Sequence, residues 1–161
     1  MVIGHDLVVP VINNKNPLFE EITQKGVTSD DLAKLISGNP NWSMVINGAE
    51  KTPVKCYITD NQQVITKIAG FTKTDQAAIG ATKVTTGVEL ISLVQQNVNA
   101  IGFCKLTDAL NKGTNAFAAQ IAIVPIDKNR NGRIDNFENI YSNPLTLTRG
   151  AWIGKYPREL C

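Results

Sequence analysis

The chain is poor in the residues that most enzymes use as nucleophiles and bases. Its only histidine is His5, and its three cysteines are Cys56, Cys104 and Cys161. One histidine near the amino terminus completes no Ser-His-Asp or Cys-His set, so we predict that the chain is not an enzyme. The cysteines lack the paired spacing of a zinc site. A bridge between Cys56 and Cys104 stays open, although free thiols in such apolar runs pack as small hydrophobes.

Long apolar runs and a strong charge bias are also absent. No stretch approaches the roughly 18 apolar residues that a membrane-spanning helix needs, so we predict no membrane insertion. A net charge of +2 is too small to indicate binding to nucleic acid or to a membrane surface. The first six residues lack the basic and apolar regions of a signal peptide, which suggests either a cytosolic protein or an excerpt of an exported one. At 161 residues, 43% of them hydrophobic, residues 1–161 are expected to form a single domain.

The most specific motif lies in residues 127–138, which read DKNRNGRIDNFE. Calcium prefers six to eight oxygen ligands, and this spacing matches every position of the twelve-residue EF-hand-like loop. A glycine, Gly132, falls where that loop turns sharply with a positive φ. Arg133 would contribute its backbone carbonyl, and the other ligands would be side-chain oxygens. The predicted Ca2+ ligands are Asp127, Asn129, Asn131, Arg133, Asp135 and Glu138.

The segments around this loop predict a structural ion rather than a switch. The incoming residues 117–126 are β-branched and carry Pro125, so they are typical of a strand, whereas residues 137–141 could form a short helix. A sensor of the calmodulin type needs a helix on both sides, and only one copy of the loop exists. A plain Asn/Gly turn without metal is the alternative interpretation.

Elsewhere, strand-like and helix-like segments alternate, which favours an α/β domain with one mixed sheet flanked by helices. Thr28 with Asp31 resembles a capping box at the start of a helix that Gly38 would end. Pro10 is expected to break the first strand or to place it at an edge. The predicted strands are residues 7–12, 53–58 and 100–104, and the predicted helices are residues 28–38, 64–71 and 85–96, with a helical turn at 106–110 and an extended tail at 148–157.

Four segments in shared order resemble a known family. They are residues 7–17 (LVVPVINNKNP), residues 26–38 (GVTSDDLAKLISG) followed by Trp42, residues 99–103 (NAIGF) and residues 154–158 (GKYPR). Together they are similar to one lobe, the second domain, of a PstS-like substrate-binding protein of ABC transporters, which has the type II periplasmic-binding-protein fold. The calcium loop is not part of that family's general pattern and resembles an insertion in a subgroup.

This resemblance implies an exported protein, periplasmic or at the cell surface, that delivers a solute to an ABC transporter permease. The solute, phosphate or another small anion, would lie between this lobe and a second lobe encoded before His5 and after Pro157. The implied ligand-facing residues are Thr59, Asp60, Asn61 and Gln62, at the start of a predicted helix. The Arg and the Ser-Gly-Thr triplet of the phosphate binders are missing there.

Two other interpretations remain. The polar residues 59–62 could simply cap their helix. The whole chain could be a free-standing, calcium-stabilised adhesion or interaction module without a small-molecule ligand.

Overall fold

The computed structural model describes residues 7–38, 40–46, 48–49, 52–111, 113, 116–135 and 139–161. Within these ranges the chain forms an α/β domain with one five-stranded sheet. The strands are β1 (Val8–Asn13), β2 (Lys55–Thr59), β3 (Thr82–Val84), β4 (Ala100–Lys105) and β5 (Ile121–Ile123). The helices are α1 (Phe19–Lys25), α2 (Ser29–Leu35), α3 (Gln62–Thr72), α4 (Gly87–Gln96) and α5 (Pro144–Trp152).

The sheet is mixed, as the alternating pattern predicted. Its strand order is β3-β2-β4-β1-β5. Strands β2, β3 and β4 are parallel, whereas β1 runs antiparallel to both β4 and β5. The expectation that Pro10 breaks β1 or marks an edge was wrong, because β1 is continuous and lies between two strands. The carbonyl of Pro10 still accepts a hydrogen bond from the amide of Val124, just past the end of β5. The N–H that proline lacks would face the same position, so the β1–β5 ladder loses a hydrogen bond only at its end.

Polar caps start α2 and α3 at positions that the sequence indicated. The Thr28 hydroxyl accepts from the amide of Asp31 while the Asp31 carboxylate accepts from the amide of Thr28, which is the predicted capping box of α2. Asn61 caps α3, and Thr86 caps α4. The helical turn after β4 is also present, as a 3-10 turn. These local signals depend on neighbouring residues only, which is why they can be read without the tertiary structure.

The long strand predicted for residues 117–126 was wrong. Only Ile121–Ile123 is a strand. Gln120 has a φ of 63°, a left-handed conformation that no strand continues through. The chain then leaves the β1 ladder at Pro125, whose carbonyl accepts from Val27 at 2.9 Å. The β-branched residues of this segment therefore predict that a strand exists, but they do not predict where it begins and ends.

The extended tail predicted for residues 148–157 was also wrong. Its first half, residues 148–152, belongs to α5, which begins at Pro144. Asn143 accepts from the amide of Thr146, and a proline in the first helical turn has its fixed φ already suited to the helix. The predicted short helix at 137–141 lies partly outside the described residues, and residues 139–141 are not helical.

The core lies between the sheet and its helices. Trp42 and Phe103 are fully buried, and Gly102 lets α4 approach β4 closely: a Cβ there would lie 2.6 Å from Leu90 Cδ2. Cys56 and Cys104 are free, buried thiols. Cys56 lies opposite Ile101 in the β2–β4 ladder. Cys104 is three residues further along β4, so the two thiols are not opposite each other.

Candidate calcium loop and solute-facing edge

The carboxyl ends of the parallel strands meet at one edge of the sheet, where ligands of open α/β sheets usually bind. Thr59 ends β2, and the amide of the next residue, Asp60, donates to the carbonyl of Val84 at the end of β3, at 2.7 Å. Thr59 is buried, and its hydroxyl has no hydrogen-bond partner among the described residues. The edge therefore combines an unsatisfied hydroxyl with the exposed carboxylate of Asp60.

The first turn of α3 follows directly. The Asn61 side-chain oxygen accepts from the amides of Gln63, at 2.9 Å, and Val64, at 3.4 Å. Gln62 is exposed, and its side-chain amide donates to Thr66 and Gln76 rather than towards the sheet edge. The four residues implied by the family resemblance are thus brought together at one edge. That they contact a solute stays a prediction.

Sequence reasoning missed two further residues at this edge, Thr86 and Asp108. The Thr86 hydroxyl caps α4 by accepting from the amide of Glu89 at 3.1 Å. The Asp108 carboxylate lies against Gly87, where an added Cβ would be 2.1 Å from its Cγ. Burial raises the pKa of Asp108, and the backbone and charge of Lys105 oppose that rise. Thr86 comes two residues after β3 and Asp108 three residues after β4, and only the sheet order, with β2 between those two strands, shows that their ends lie at the same edge.

The calcium loop is anchored to the body of the domain at both of its described ends. The amide of Asp127 donates to the carbonyl of Val27 at 2.8 Å, and the amide of Ile134 donates to the carbonyl of Gln24 at 2.8 Å. The Ile134 side chain packs over Gly26, where an added Cβ would lie 2.4 Å from its Cδ1. These contacts hold the loop against α1 and the turn that follows it.

Inside the loop, the side chains already converge. The amide of Gly132, which has a φ of 82°, donates to Asp127 Oδ2 at 2.8 Å. The side-chain amides of Asn129 and Asn131 donate to Asp135 Oδ2 at 3.3 and 2.7 Å. Asp127 is 3% exposed, and its Oδ1 has no hydrogen-bond partner among the described residues.

This arrangement fits a hard cation. A buried carboxylate oxygen without a donor is costly, and a metal ion would satisfy it. The side-chain amides of Asn129 and Asn131 now direct their NH2 groups into the loop. A half-turn of each amide group would direct its oxygen there instead, and the two orientations have nearly the same shape. Arg133 pairs with Asp135 at 2.8 Å, but its side chain is 74% exposed. No three Asp, Glu, His or Cys side chains cluster for a metal among the described residues, and Glu138 lies outside them.

Comparison with known proteins gave structural matches alone. No family model and no curated protein matches the chain. A "possible phosphate binding protein" from Planctomyces limnophilus superimposes with a TM-score of 0.62 at 17% identity, over 78% of this chain and 43% of that one. An ABC-type phosphate transport receptor from Vibrio cholerae gives 0.57 at 16% identity, over 83% and 50%. A phosphate ABC transporter substrate-binding protein with bound phosphate from Clostridium perfringens gives 0.58 at 18% identity, over 79% and 47%.

The chain has the fold of one lobe of a periplasmic binding protein. It spans half or less of the length of the three solved receptors. At these identities the likeness shows the fold alone, and it confirms the fold class that the sequence predicted. No helix in the described part of the lobe is long and apolar enough to cross a membrane.

Proposed function

We propose that this lobe belongs to an exported substrate-binding receptor of an ABC-type importer, and that it binds phosphate or another small anion. The observation that carries the proposal is the placement of Asp60 and Asn61. They lie at the carboxyl ends of the parallel strands of the sheet, in a fold shared with three solved proteins whose names refer to phosphate. A second lobe would supply the remaining contacts, and a permease would receive the solute.

The start of α3 has suitable chemistry for an anion. The unpaired N–H groups and the dipole of a helix make its amino terminus favourable for negative charge. The amides of Gln63 and Val64 donate to the side-chain oxygen of Asn61. The amide of Gln62, in the same first turn, is not bonded to Asn61 and could donate to an anion. The exposed Asp60 carboxylate can only accept hydrogen bonds, and it repels a fully ionised anion. An anion that still carries a proton, such as hydrogen phosphate, would therefore be preferred over sulfate.

The test is equilibrium dialysis of the calcium-loaded chain with radiolabelled phosphate, with sulfate as the competitor. We expect weak, millimolar binding, because a single lobe offers only part of the contacts. Asn61→Ala should weaken it, because the uncapped first turn of α3 no longer holds the Gln62 amide in place, whereas Asn143→Ala, which removes the equivalent cap from α5, should not. Asp60→Asn should narrow the preference for phosphate over sulfate. Equal effects of the two cap variants, or equal binding of the two anions, would contradict the proposal.

We further propose that one calcium ion stabilises the lobe. The support is the buried, unpartnered Asp127 Oδ1 within a loop whose other polar side chains point at one another. Asp127, Asn129, Asn131, Asp135 and, by sequence, Glu138 would hold the ion with oxygen ligands. Arg130 in the loop pairs with Asp30 in the first turn of α2 at 2.8 Å. An ion that orders the loop would therefore also hold the chain after β5 against the start of α2.

Calorimetric titration of the metal-stripped chain tests this second proposal. We expect about one calcium ion per chain, with binding lost in Asp127→Ala and in Glu138→Ala. Asp30→Ala removes a nearby carboxylate that is not a proposed ligand and should leave binding intact. Calcium binding without any anion binding would favour the free-standing interaction module instead.

A further inference from the structure

The outer face of α5 carries an unusual set of exposed apolar side chains. Leu145 is 57% exposed, Trp152 is 68% exposed, and Ile153, directly after the helix, is 65% exposed. We call these three residues the α5 patch. Leu147 and Ala151 on the other face are buried in the core. The patch is therefore not part of the interior that holds the lobe together.

The backbone holds the patch in a defined position. Leu145 and Trp152 are seven residues apart, which places them two turns apart on one side of the helix. The helix ends in a turn at Gly154, which has a φ of 86°. The amide of Lys155 donates to the carbonyl of Gly150 at 2.8 Å, and Lys128 Nζ donates to the carbonyl of Gly154 at 2.7 Å. These bonds fix the turn that projects Trp152 and Ile153.

The charge around the patch is mainly positive. Residues 139–158 contain three cations, Arg149, Lys155 and Arg158, and the next carboxylate along the chain is the exposed Glu159. Arg149 lies between Leu145 and Trp152 along the helix, and it is exposed. Lys128, bonded to the turn, adds a fourth positive charge. An apolar tip with more cations than carboxylates beside it complements an anionic surface with an apolar interior.

We propose that the α5 patch is a peripheral contact with the surface of an anionic lipid bilayer. The Trp152 and Ile153 side chains enter the interfacial region, where tryptophan is favoured, and the cations contact lipid phosphates. A protein partner is less well suited, because a stable interface covers about 800 Å² on each side and three side chains cover much less. Such contact leaves unchanged the expectation that no helix crosses the membrane, and it is independent of the proposed solute.

The two tryptophans make the contact measurable. Trp42 is 1% exposed and should report no change, so a shift in emission on adding vesicles would come from Trp152. We expect a blue shift, and quenching by brominated lipid, with vesicles of phosphatidylglycerol and phosphatidylcholine in equal amounts. Vesicles of phosphatidylcholine alone should give much weaker binding. Added salt should release the chain, because screening weakens charge attraction.

Variants separate this contact from general stickiness, with co-sedimentation as the readout. Trp152→Ser with Ile153→Ser should lower vesicle affinity by at least about tenfold. Arg149→Gln and Lys155→Gln should each lower it about fivefold. The matched control, Val88→Ser on α4, removes an apolar side chain that is 66% exposed and should have no effect.

Three outcomes would overturn the proposal. The first is equal vesicle binding by the double variant and the wild-type chain. The second is dimerisation, seen as a concentration-dependent shift of Trp152 emission without lipid. The third is shielding of Trp152 from a soluble quencher in the complete receptor, which would mean that protein covers the patch.

Discussion

The substitution Asp127→Asn should have opposite effects on stability with and without calcium. Asp127 is 3% exposed, Oδ2 accepts from Gly132 at 2.8 Å, and Oδ1 has no described partner. Without a cation, a buried charge with one unsatisfied oxygen destabilises the fold. The amide oxygen of asparagine can keep the bond to Gly132 and removes the charge. In calcium-free buffer the variant should therefore be as stable as the wild type, or more stable by up to about 2 kcal/mol.

In calcium the order should reverse. At a calcium concentration a hundredfold above Kd, binding to the native state adds about 2.7 kcal/mol to the free energy of unfolding. For a domain of this size that corresponds to a rise in Tm of about 5 to 11 °C. Asp127→Asn should lose most of that rise, because it weakens a ligand that supplies both charge and geometry.

Thermal melts followed by circular dichroism, in EGTA and in calcium, measure both effects. The control is Asp30→Asn, which alters an exposed ion pair with Arg130 and should keep the full calcium response. The reasoning fails if Asp127→Asn destabilises the chain equally in the two buffers. It also fails if the wild-type Tm does not respond to calcium.

Three further predictions concern the packing and the electrostatics. Tyr156→Phe should lower the free energy of unfolding by about 1 to 3 kcal/mol in urea melts, since it removes the buried 2.7 Å bond to the Val8 carbonyl. Gly102→Ala should cost about 1 to 3 kcal/mol through the clash with α4, whereas Gly70→Ala, in an open helix position, should be neutral or stabilising. Burial raises the pKa of Asp108, so ionising this side chain costs more in the folded state than in the unfolded state. The free energy of unfolding of the wild type should therefore fall, relative to that of Asp108→Asn, as pH rises from about 4 through the raised pKa. A flat difference across that pH range would contradict the burial of Asp108.

Local signals in the sequence identified most of the scaffold. The caps at Thr28, Asn61 and Thr86 act on amides two or three residues away, so their effect is visible in the sequence itself. The same rule applied to Asn143 before Pro144 predicts the start of α5, whereas the alternating apolar residues of that segment favour an extended chain. The three-residue strand β3 offers too little pattern to detect.

The candidate sites divide in the same way. The predicted calcium loop is contiguous, so its spacing alone predicted the positive φ of Gly132, which is 82°. The solute-facing edge is assembled from separate strand ends, so Asp108 could not be linked to Asp60 without the sheet order. Non-local contacts of that kind leave no periodic signal in one sequence.

The most direct test of the proposed solute-binding role is an amide-resonance titration of the calcium-loaded, isotope-labelled chain with inorganic phosphate, with sulfate at matched ionic strength as the reference. Binding at the carboxyl edge of the sheet predicts saturable shifts centred on the amides of Asp60–Gln63 that phosphate produces and sulfate produces only weakly. Shifts centred elsewhere, such as the 380 Å³ cavity beside Lys55 and Thr82, or no saturable shift at all, would contradict the assignment of this edge as the solute site.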